Sequence, residues 1–70
     1  MTNNEILHLL AKALAQTEES LAATFALGGE SLTGAEALAR TRVLDTEGAE
    51  ACTSEQLGRF LDGLILEKRG

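Results

Sequence analysis

The sequence has no proline, tryptophan or tyrosine, and only two of its 70 residues are phenylalanine. Strands are built mainly from β-branched and aromatic residues, so this scarcity leaves little material for a sheet. Alanine, leucine and glutamate recur instead, and all three favour helices. The composition therefore predicts an all-α fold, a compact bundle of about four short helices in a single domain that covers residues 1–70.

Cysteine and histidine are equally sparse, since Cys52 and His8 are the sole examples. One cysteine cannot form an internal disulfide, and two isolated side chains do not make a zinc site. We therefore expect no cofactor and no metal. A core in a chain this short rarely supplies more than ~3–5 kcal/mol, so stability must come from well-formed helix packing or from self-association.

Positive charge is in short supply, because six basic residues stand against eleven acidic ones and give a net charge of −5. Binding to nucleic acid or to an anionic membrane draws on clustered Lys and Arg, so we expect neither partner. No apolar run approaches the ~20 residues of a membrane span, and the N-terminus lacks the positive region of a signal peptide. These features predict a cytoplasmic location, which a lone free thiol fits.

A threonine stands before each apolar stripe at helical spacing. In a capping box, the threonine side chain accepts from the backbone N–H three residues on, where a Glu or Gln side chain reaches back. Three of the threonines have Glu or Gln at that spacing, and the remaining one, Thr17, precedes two glutamates that suit a first helical turn. The predicted helix caps are Thr2, Thr17, Thr33 and Thr53.

Glycines mark two of the predicted helix ends. Gly28-Gly29 should end the second helix and Gly70 the fourth, because glycine adopts the left-handed conformation of a helix terminus without steric cost. The third helix is the weakest, since its apolar side is mostly alanine. The predicted helices cover residues 3–15, 17–28, 34–43 and 54–68, with an acidic loop at 45–52 before the last.

The residues offer little catalytic chemistry. A nucleophile needs a base within hydrogen-bond reach, and Cys52 with His8 is the sole plausible pair. Burial beside helix four is the simpler role for Cys52, and a solvated position is the simpler one for His8. The acidic loop lacks EF-hand spacing, and Gly28-Gly29 lacks the spacing of a phosphate-binding loop. We therefore predict a non-enzymatic protein with no small-molecule ligand, although a depressed thiol pKa would revive an enzyme that works through Cys52.

Helices two and three, joined by a glycine-containing turn, also fit a helix-turn-helix corner. The third helix would then be the recognition helix, with Arg40 and Arg42 near its end. Its first turn, which should meet base edges, carries Gly34, Ala35 and Glu36, and glutamate repels phosphate. DNA binding is therefore the alternative hypothesis rather than the leading one.

Three blocks of the sequence resemble a known family. The blocks are residues 3–7, residues 25–29, and the C-terminal stretch from Cys52 to Gly70 that includes residues 60–65. Together they resemble the YehS-like family of bacterial proteins, which carry a domain of unknown function. The resemblance implies a bacterial cytosolic origin but no activity. Members of the family usually hold two copies of the domain in tandem, and this chain, which holds one copy, is either a single-domain member or part of a tandem protein.

The leading hypothesis is a protein-interaction module that self-associates; its partner would be a second copy, forming a homo-oligomer, or another protein. The physical reasons are that the core is small and that another protomer can take the position of a second tandem copy. The predicted interaction surface lies around the apolar stripe of helix four, formed by Leu57, Phe60, Leu61, Leu64 and Ile65, and part of this stripe must serve the domain's own core. The alternative is a helix-turn-helix-like DNA-binding regulator.

Overall fold

A computed structural model describes residues 1–69 and contains four α-helices, α1 (Asn3–Ala13), α2 (Glu18–Leu27), α3 (Gly34–Ala39) and α4 (Ser54–Arg69). No strand occurs within these residues, so the all-α prediction is confirmed. Helix α2 packs along both α3 and α4, whereas α1 approaches α4 over a shorter stretch. Helix α2 is therefore the centre of the domain, and α1 is its most loosely attached helix.

The core is small and draws on every helix and on the loop before α4. Its buried apolar side chains are Leu7, Leu21, Phe25, Ala37, Cys52 and Phe60. The rings of Phe25 and Phe60 lie in a tilted arrangement with their centroids 5.1 Å apart, a favourable geometry for an aromatic pair. Both aromatic side chains of the protein thus join α2 to α4.

Each helix begins at a threonine whose side chain accepts a hydrogen bond from the backbone three residues on. At α1, Thr2 accepts from the Glu5 N–H at 3.1 Å, and the Glu5 carboxylate accepts from the Thr2 N–H at 3.0 Å. A serine, Ser20, plays the reciprocal part for Thr17 at α2. The corresponding pairs at α3 and α4 are Thr33 with Glu36 and Thr53 with Gln56. Capping thus ties each helix start to its own first turn.

Capping also affects two carboxyl groups. The hydrogen bond from the Thr2 backbone N–H lowers the pKa of Glu5, and that from the Thr33 N–H lowers the pKa of Glu36. Because these pKa values are depressed in the folded state, each carboxylate contributes to the stability of the fold. This contribution is fully present above the unfolded pKa and is lost as the pH falls through the folded pKa. Both carboxylates remain charged at neutral pH.

Helix α2 ends in a Schellman motif, in which the two residues after the cap bond back to the last turn. The Glu30 N–H donates to the Phe25 carbonyl at 2.8 Å, and the Gly29 N–H donates to the Ala26 carbonyl at 3.0 Å. Gly29 has a φ of 94°, a conformation that favours glycine.

Helix α1 ends in the same motif, but with an alanine in the left-handed position. Ala15 has a φ of 52°, and the Gln16 N–H donates to the Ala11 carbonyl at 2.9 Å. A non-glycine residue in this conformation costs ~1–2 kcal/mol. The turn that joins α1 to α2 is therefore strained, and α1 ends at Ala13 instead of at the predicted residue 15.

Helix α3 is four residues shorter than the predicted 34–43, because it ends at Ala39. A longer helix would need the Ala39 carbonyl to accept from the Val43 N–H, but this carbonyl accepts from the Glu50 N–H at 3.1 Å and, in a tighter turn, from the Arg42 N–H at 3.3 Å. The Thr41 hydroxyl donates to the Leu38 carbonyl at 2.7 Å, which also competes with helical bonding. Contacts with a distant loop thus end the helix early.

The other boundaries differ slightly from the predicted ones. Helix α2 was predicted for 17–28 but runs from Glu18 to Leu27, and α4 was predicted to end at residue 68 but continues to Arg69. In α2 the two outer residues act as caps, Thr17 at the start and Gly28 at the end. The predicted helix end at Gly70 lies outside the described residues.

The backbones of α2 and α4 touch at two glycines, Gly28 and Gly63. A Cβ atom on Gly63 would overlap the backbone carbonyl of Thr24, and one on Gly28 would overlap that of Arg59. Gly58, also in α4, has open space where a Cβ would lie. The crossing of α2 and α4 therefore depends on two particular glycines.

Among residues 1–69, no helix combines the length and apolarity that a bilayer crossing requires.

Candidate protein-interaction surface

The predicted surface on α4 divides into buried and exposed residues. Phe60 is fully buried in the core, and Leu57 and Leu64 are partly buried against it. Leu61 and Ile65 are exposed to 41% and 54%. Phe60 therefore belongs to the part of the stripe that serves the core, and a partner could reach it only if α4 left α2.

The exposed apolar residues of α4 continue onto the end of α2. Leu66 is 51% exposed and Leu27 is 50% exposed, and both line a shallow groove with Gly28, Asp62 and Ile65. We call the set of four exposed apolar side chains the α4 outer face, and it consists of Leu27, Leu61, Ile65 and Leu66. It is an apolar surface on the side of α4 that the core does not cover.

The sequence contained a signal for Leu66, one of the two exposed residues that the prediction missed. Leu64, Ile65 and Leu66 are consecutive, and successive residues of a helix point ~100° apart, so a run of three cannot face one core. At least one of them must therefore face outward. Leu27 gave no such signal, because its exposure depends on how α2 crosses α4.

Charged groups also lie on α4. Asp62 lines the groove of the α4 outer face, and Lys68 and Arg69 lie in the last turn of the helix. The Arg59 Nε lies 3.6 Å from a carboxylate oxygen of Glu30 and 3.6 Å from one of Glu55. The groove thus combines apolar side chains with one charged group, and interfaces between proteins commonly combine an apolar centre with polar surroundings.

A second opening lies between α1 and the segment that follows α3. This groove has a volume of about 510 Å³, and its lining includes Leu9, Leu38, Val43, His8, Glu5 and Arg42. Its lining comes from α1, from Leu38 of α3 and from the segment after α3. We call it the α1 groove.

Asn4, a buried residue of α1, holds the loop that borders this groove. Its side-chain nitrogen donates to the carbonyls of Arg42 at 2.9 Å and Glu50 at 2.8 Å. Its side-chain oxygen accepts from the Cys52 N–H at 2.7 Å. Beside it, the Asn3 side chain donates to the Cys52 carbonyl at 3.1 Å. The two asparagines thus bind the acidic loop to the start of α1.

The structure does not bring the candidate nucleophile and base together. Cys52 is buried, its sulfur lies 3.6 Å from the Thr53 carbonyl oxygen, and burial raises its thiol pKa. His8 is exposed and lines the α1 groove. Within residues 1–69, no three His, Cys, Asp or Glu side chains are placed to hold a metal ion. The arrangement favours a structural role for Cys52.

This burial predicts an unreactive thiol. At neutral pH, we expect Cys52 in the folded protein to react with iodoacetamide at least about 100-fold more slowly than in denaturant. The buried thiol can react only after the protein unfolds, and the free energy of unfolding is ~3–5 kcal/mol. Since the folded pKa is raised, protonation favours folding below the unfolded pKa, and this contribution is lost as the pH rises through the folded one. Equal rates in the two states would instead indicate an accessible, activated sulfur.

The arginines of the proposed recognition helix are differently placed. The Arg40 side chain donates to the Glu36 carbonyl at 2.7 Å and to the Gln56 side-chain oxygen at 3.2 Å. Arg42 lies beyond the end of α3 and lines the α1 groove. The two cations therefore do not form a row along α3.

Comparison with known proteins gives a family but no activity. The family described as "Protein of unknown function (DUF1456)" matches residues 3–70. The chain is 36% identical over 70 residues to the uncharacterized protein YehS of Escherichia coli (strain K12), a match that covers 100% of this chain and 45% of that protein. No solved structure matches the chain significantly. The matches confirm the resemblance found in the sequence.

Proposed function

Because the chain belongs to the DUF1456 family, whose function is unknown, we propose its function from its surface. The domain is a non-enzymatic protein-interaction module that self-associates through the α4 outer face. One observation carries this proposal, namely that three large apolar side chains from two helices, Leu27, Ile65 and Leu66, stand about half exposed around one groove, and that the exposed Leu61 lies one turn before Ile65 on α4. In so small a domain, a contiguous apolar patch is typical of an interaction site.

The size of the patch predicts the strength of the contact. Full burial of a leucine or isoleucine side chain contributes ~1.5–3 kcal/mol, so covering four half-exposed side chains on each of two copies contributes roughly 6–12 kcal/mol. Association costs an estimated ~4–15 kcal/mol in lost freedom. With the cost at the lower end of this range, we expect a weak, reversible dimer with a dissociation constant in about the micromolar to millimolar range.

A second domain of the same kind is the partner that the resemblance favours. The YehS-like family is expected to hold two copies in tandem, and this chain spans 45% of the length of the relative YehS. The α4 outer face of one copy can then meet that of another, in the same chain or in a second protomer. We propose the cytoplasm as the location, because the one cysteine is a free thiol.

The other functions have less support. A DNA-binding role would call on Arg40, whose guanidinium is already bonded to α3 and α4 groups. The net charge of −5 also opposes binding to a phosphate backbone. A Cys52 nucleophile is opposed by the burial of its sulfur.

Two leucines offer a matched test of the proposal, because Leu66 and Leu9 are both 51% exposed and both helical. Leu66→Glu introduces charge into the α4 outer face, whereas Leu9→Glu makes the same change on the α1 groove. We expect Leu66→Glu to weaken dimerisation at least about tenfold in sedimentation velocity, since it removes more than ~1.4 kcal/mol of contact. Leu9→Glu should leave it unchanged. Equal effects of the two substitutions would contradict the proposal.

A further inference from the structure

We infer that two copies of this domain can exchange α1, so that α1 of each protomer packs into the body formed by α2–α4 of the other. The inference rests on the proposed function in that two copies must meet. It adds a second, intertwined contact to the one at the α4 outer face. The occupant of the exchanged site is thus a second copy's α1.

Helix α1 is the helix that can most easily detach from its own domain and pack into that of another protomer. Among the helices, α2 packs extensively against α3 and α4, whereas α1 has only a short contact with α4. The side of α1 that carries Glu5, His8 and Leu9 faces the open α1 groove. Its fully buried residues are Asn4 and Leu7, and Leu10 and Ala11 add a partly buried contact with the core.

The contacts that hold α1 are made to residues distant in the sequence. Asn4 bonds to Arg42, Glu50 and Cys52, which lie 38 to 48 residues away. The same bonds can form between two chains without any change of geometry, because no residue of the α1–α2 turn takes part in them. Exchange therefore conserves the attachment of α1.

The turn between α1 and α2 is the hinge. It consists of Leu14 to Thr17, and in the closed form it holds Ala15 in the left-handed region with a φ of 52°. An extended hinge allows Ala15 to take an ordinary conformation, so exchange relieves this strain at both hinges of a dimer. Strained short hinges are a known route to exchanged dimers.

Disulfide trapping distinguishes exchange from surface contact. The side chains of Asn3 and Ser54 meet at 3.3 Å, across the boundary between α1 and the body. We would place cysteines at both positions, Asn3→Cys and Ser54→Cys, in a Cys52→Ala background, let dimers form, oxidise them, and run a non-reducing denaturing gel. Exchange predicts a covalent dimer with no free thiol.

The alternative outcomes are separable. A covalently closed monomer from a sample that sediments as a dimer would overturn exchange and leave the proposed contact at the α4 outer face intact. A closed monomer from a monomeric sample would overturn both. The single variant Asn3→Cys measures cross-linking by collision, and a covalent dimer no more abundant than in this control would also overturn exchange.

Hinge variants give an independent readout at an exposed position. Ala15→Gly relieves the strain of the closed hinge in both protomers, so we expect the dimer dissociation constant to rise roughly 30- to 900-fold. Ala15→Val adds a β-branched side chain to the left-handed conformation and should lower it by at least about tenfold. If sedimentation equilibrium gave the same dissociation constant for the unmodified chain and both variants, the assignment of this turn as the hinge would be overturned.

Discussion

Gly63→Ala is expected to lower the free energy of unfolding by ~3 kcal/mol or more, which is most of the stability of a domain this small. The new methyl group would overlap the Thr24 carbonyl, and a backbone group cannot rotate away as a flexible side chain does. Helices α2 and α4 must separate to make room, and this breaks the packing of Phe25 on Phe60. Urea denaturation followed by circular dichroism measures the loss.

Gly58→Ala is the matched control within the same helix. A Cβ at Gly58 meets nothing within 4 Å, so the substitution should raise the free energy of unfolding by ~0.5–1 kcal/mol through helix propensity alone. The two substitutions thus have opposite expected signs. If Gly63→Ala were also stabilising, α2 and α4 would not be in backbone contact.

Asn4→Ala should be the second most damaging substitution, with an expected loss of ~3 kcal/mol. It leaves the carbonyls of Arg42 and Glu50 and the N–H of Cys52 without their side-chain partner, and each buried group left unsatisfied costs ~1–3 kcal/mol. The neighbouring substitution Asn3→Ala removes longer bonds from a half-buried side chain. It should cost less than about 1 kcal/mol, so comparable losses would contradict the assigned role of Asn4.

Asn4→Asp adds a pH dependence to this prediction. A carboxylate at position 4 would be buried and would face two carbonyl oxygens, so its pKa would be raised in the folded state. A raised folded pKa favours folding below the unfolded value of about 3.9 and loses that contribution as the pH rises. The loss of unfolding free energy caused by Asn4→Asp should therefore be smaller at acid pH than at pH 7. Chemical denaturation at both pH values measures it.

Local features of the fold are accessible from the sequence. The helical class follows from composition, and capping depends on residues only three apart, so the Thr-x-x-Glu spacing before α1 marks a helix start. The glycine pair after α2 marks a helix end for the same reason. These features need no knowledge of what the helices pack against.

Features that depend on distant residues were missed or mistaken. The early end of α3 follows from the bond between Ala39 and Glu50, and nothing near α3 in the sequence indicates it. The second function of Gly28, as a crossing point with Gly63, requires the relative position of two helices. The sequence also does not separate Phe60 from the exposed residues of its stripe, because an apolar stripe does not indicate which of its edges meets the core.

The candidate surface likewise depends on contacts between residues that are distant in the sequence. The sequence identifies α4 as the helix with excess apolar residues, but only the crossing of α2 and α4 decides that Phe60 is inside and that Leu66 and Leu27 are outside. A helix with apolar residues on both sides can bury one side in its own core and offer the other to a partner. The α4 outer face is that second side.

Sedimentation equilibrium of the unmodified chain, over a wide range of protein and salt concentrations, tests self-association most directly. The account predicts that the apparent mass rises from 7.4 kDa towards twice this value as protein concentration increases, and that added salt does not weaken the dimer, since the contact is apolar. A mass that stays at 7.4 kDa up to millimolar concentration would contradict it.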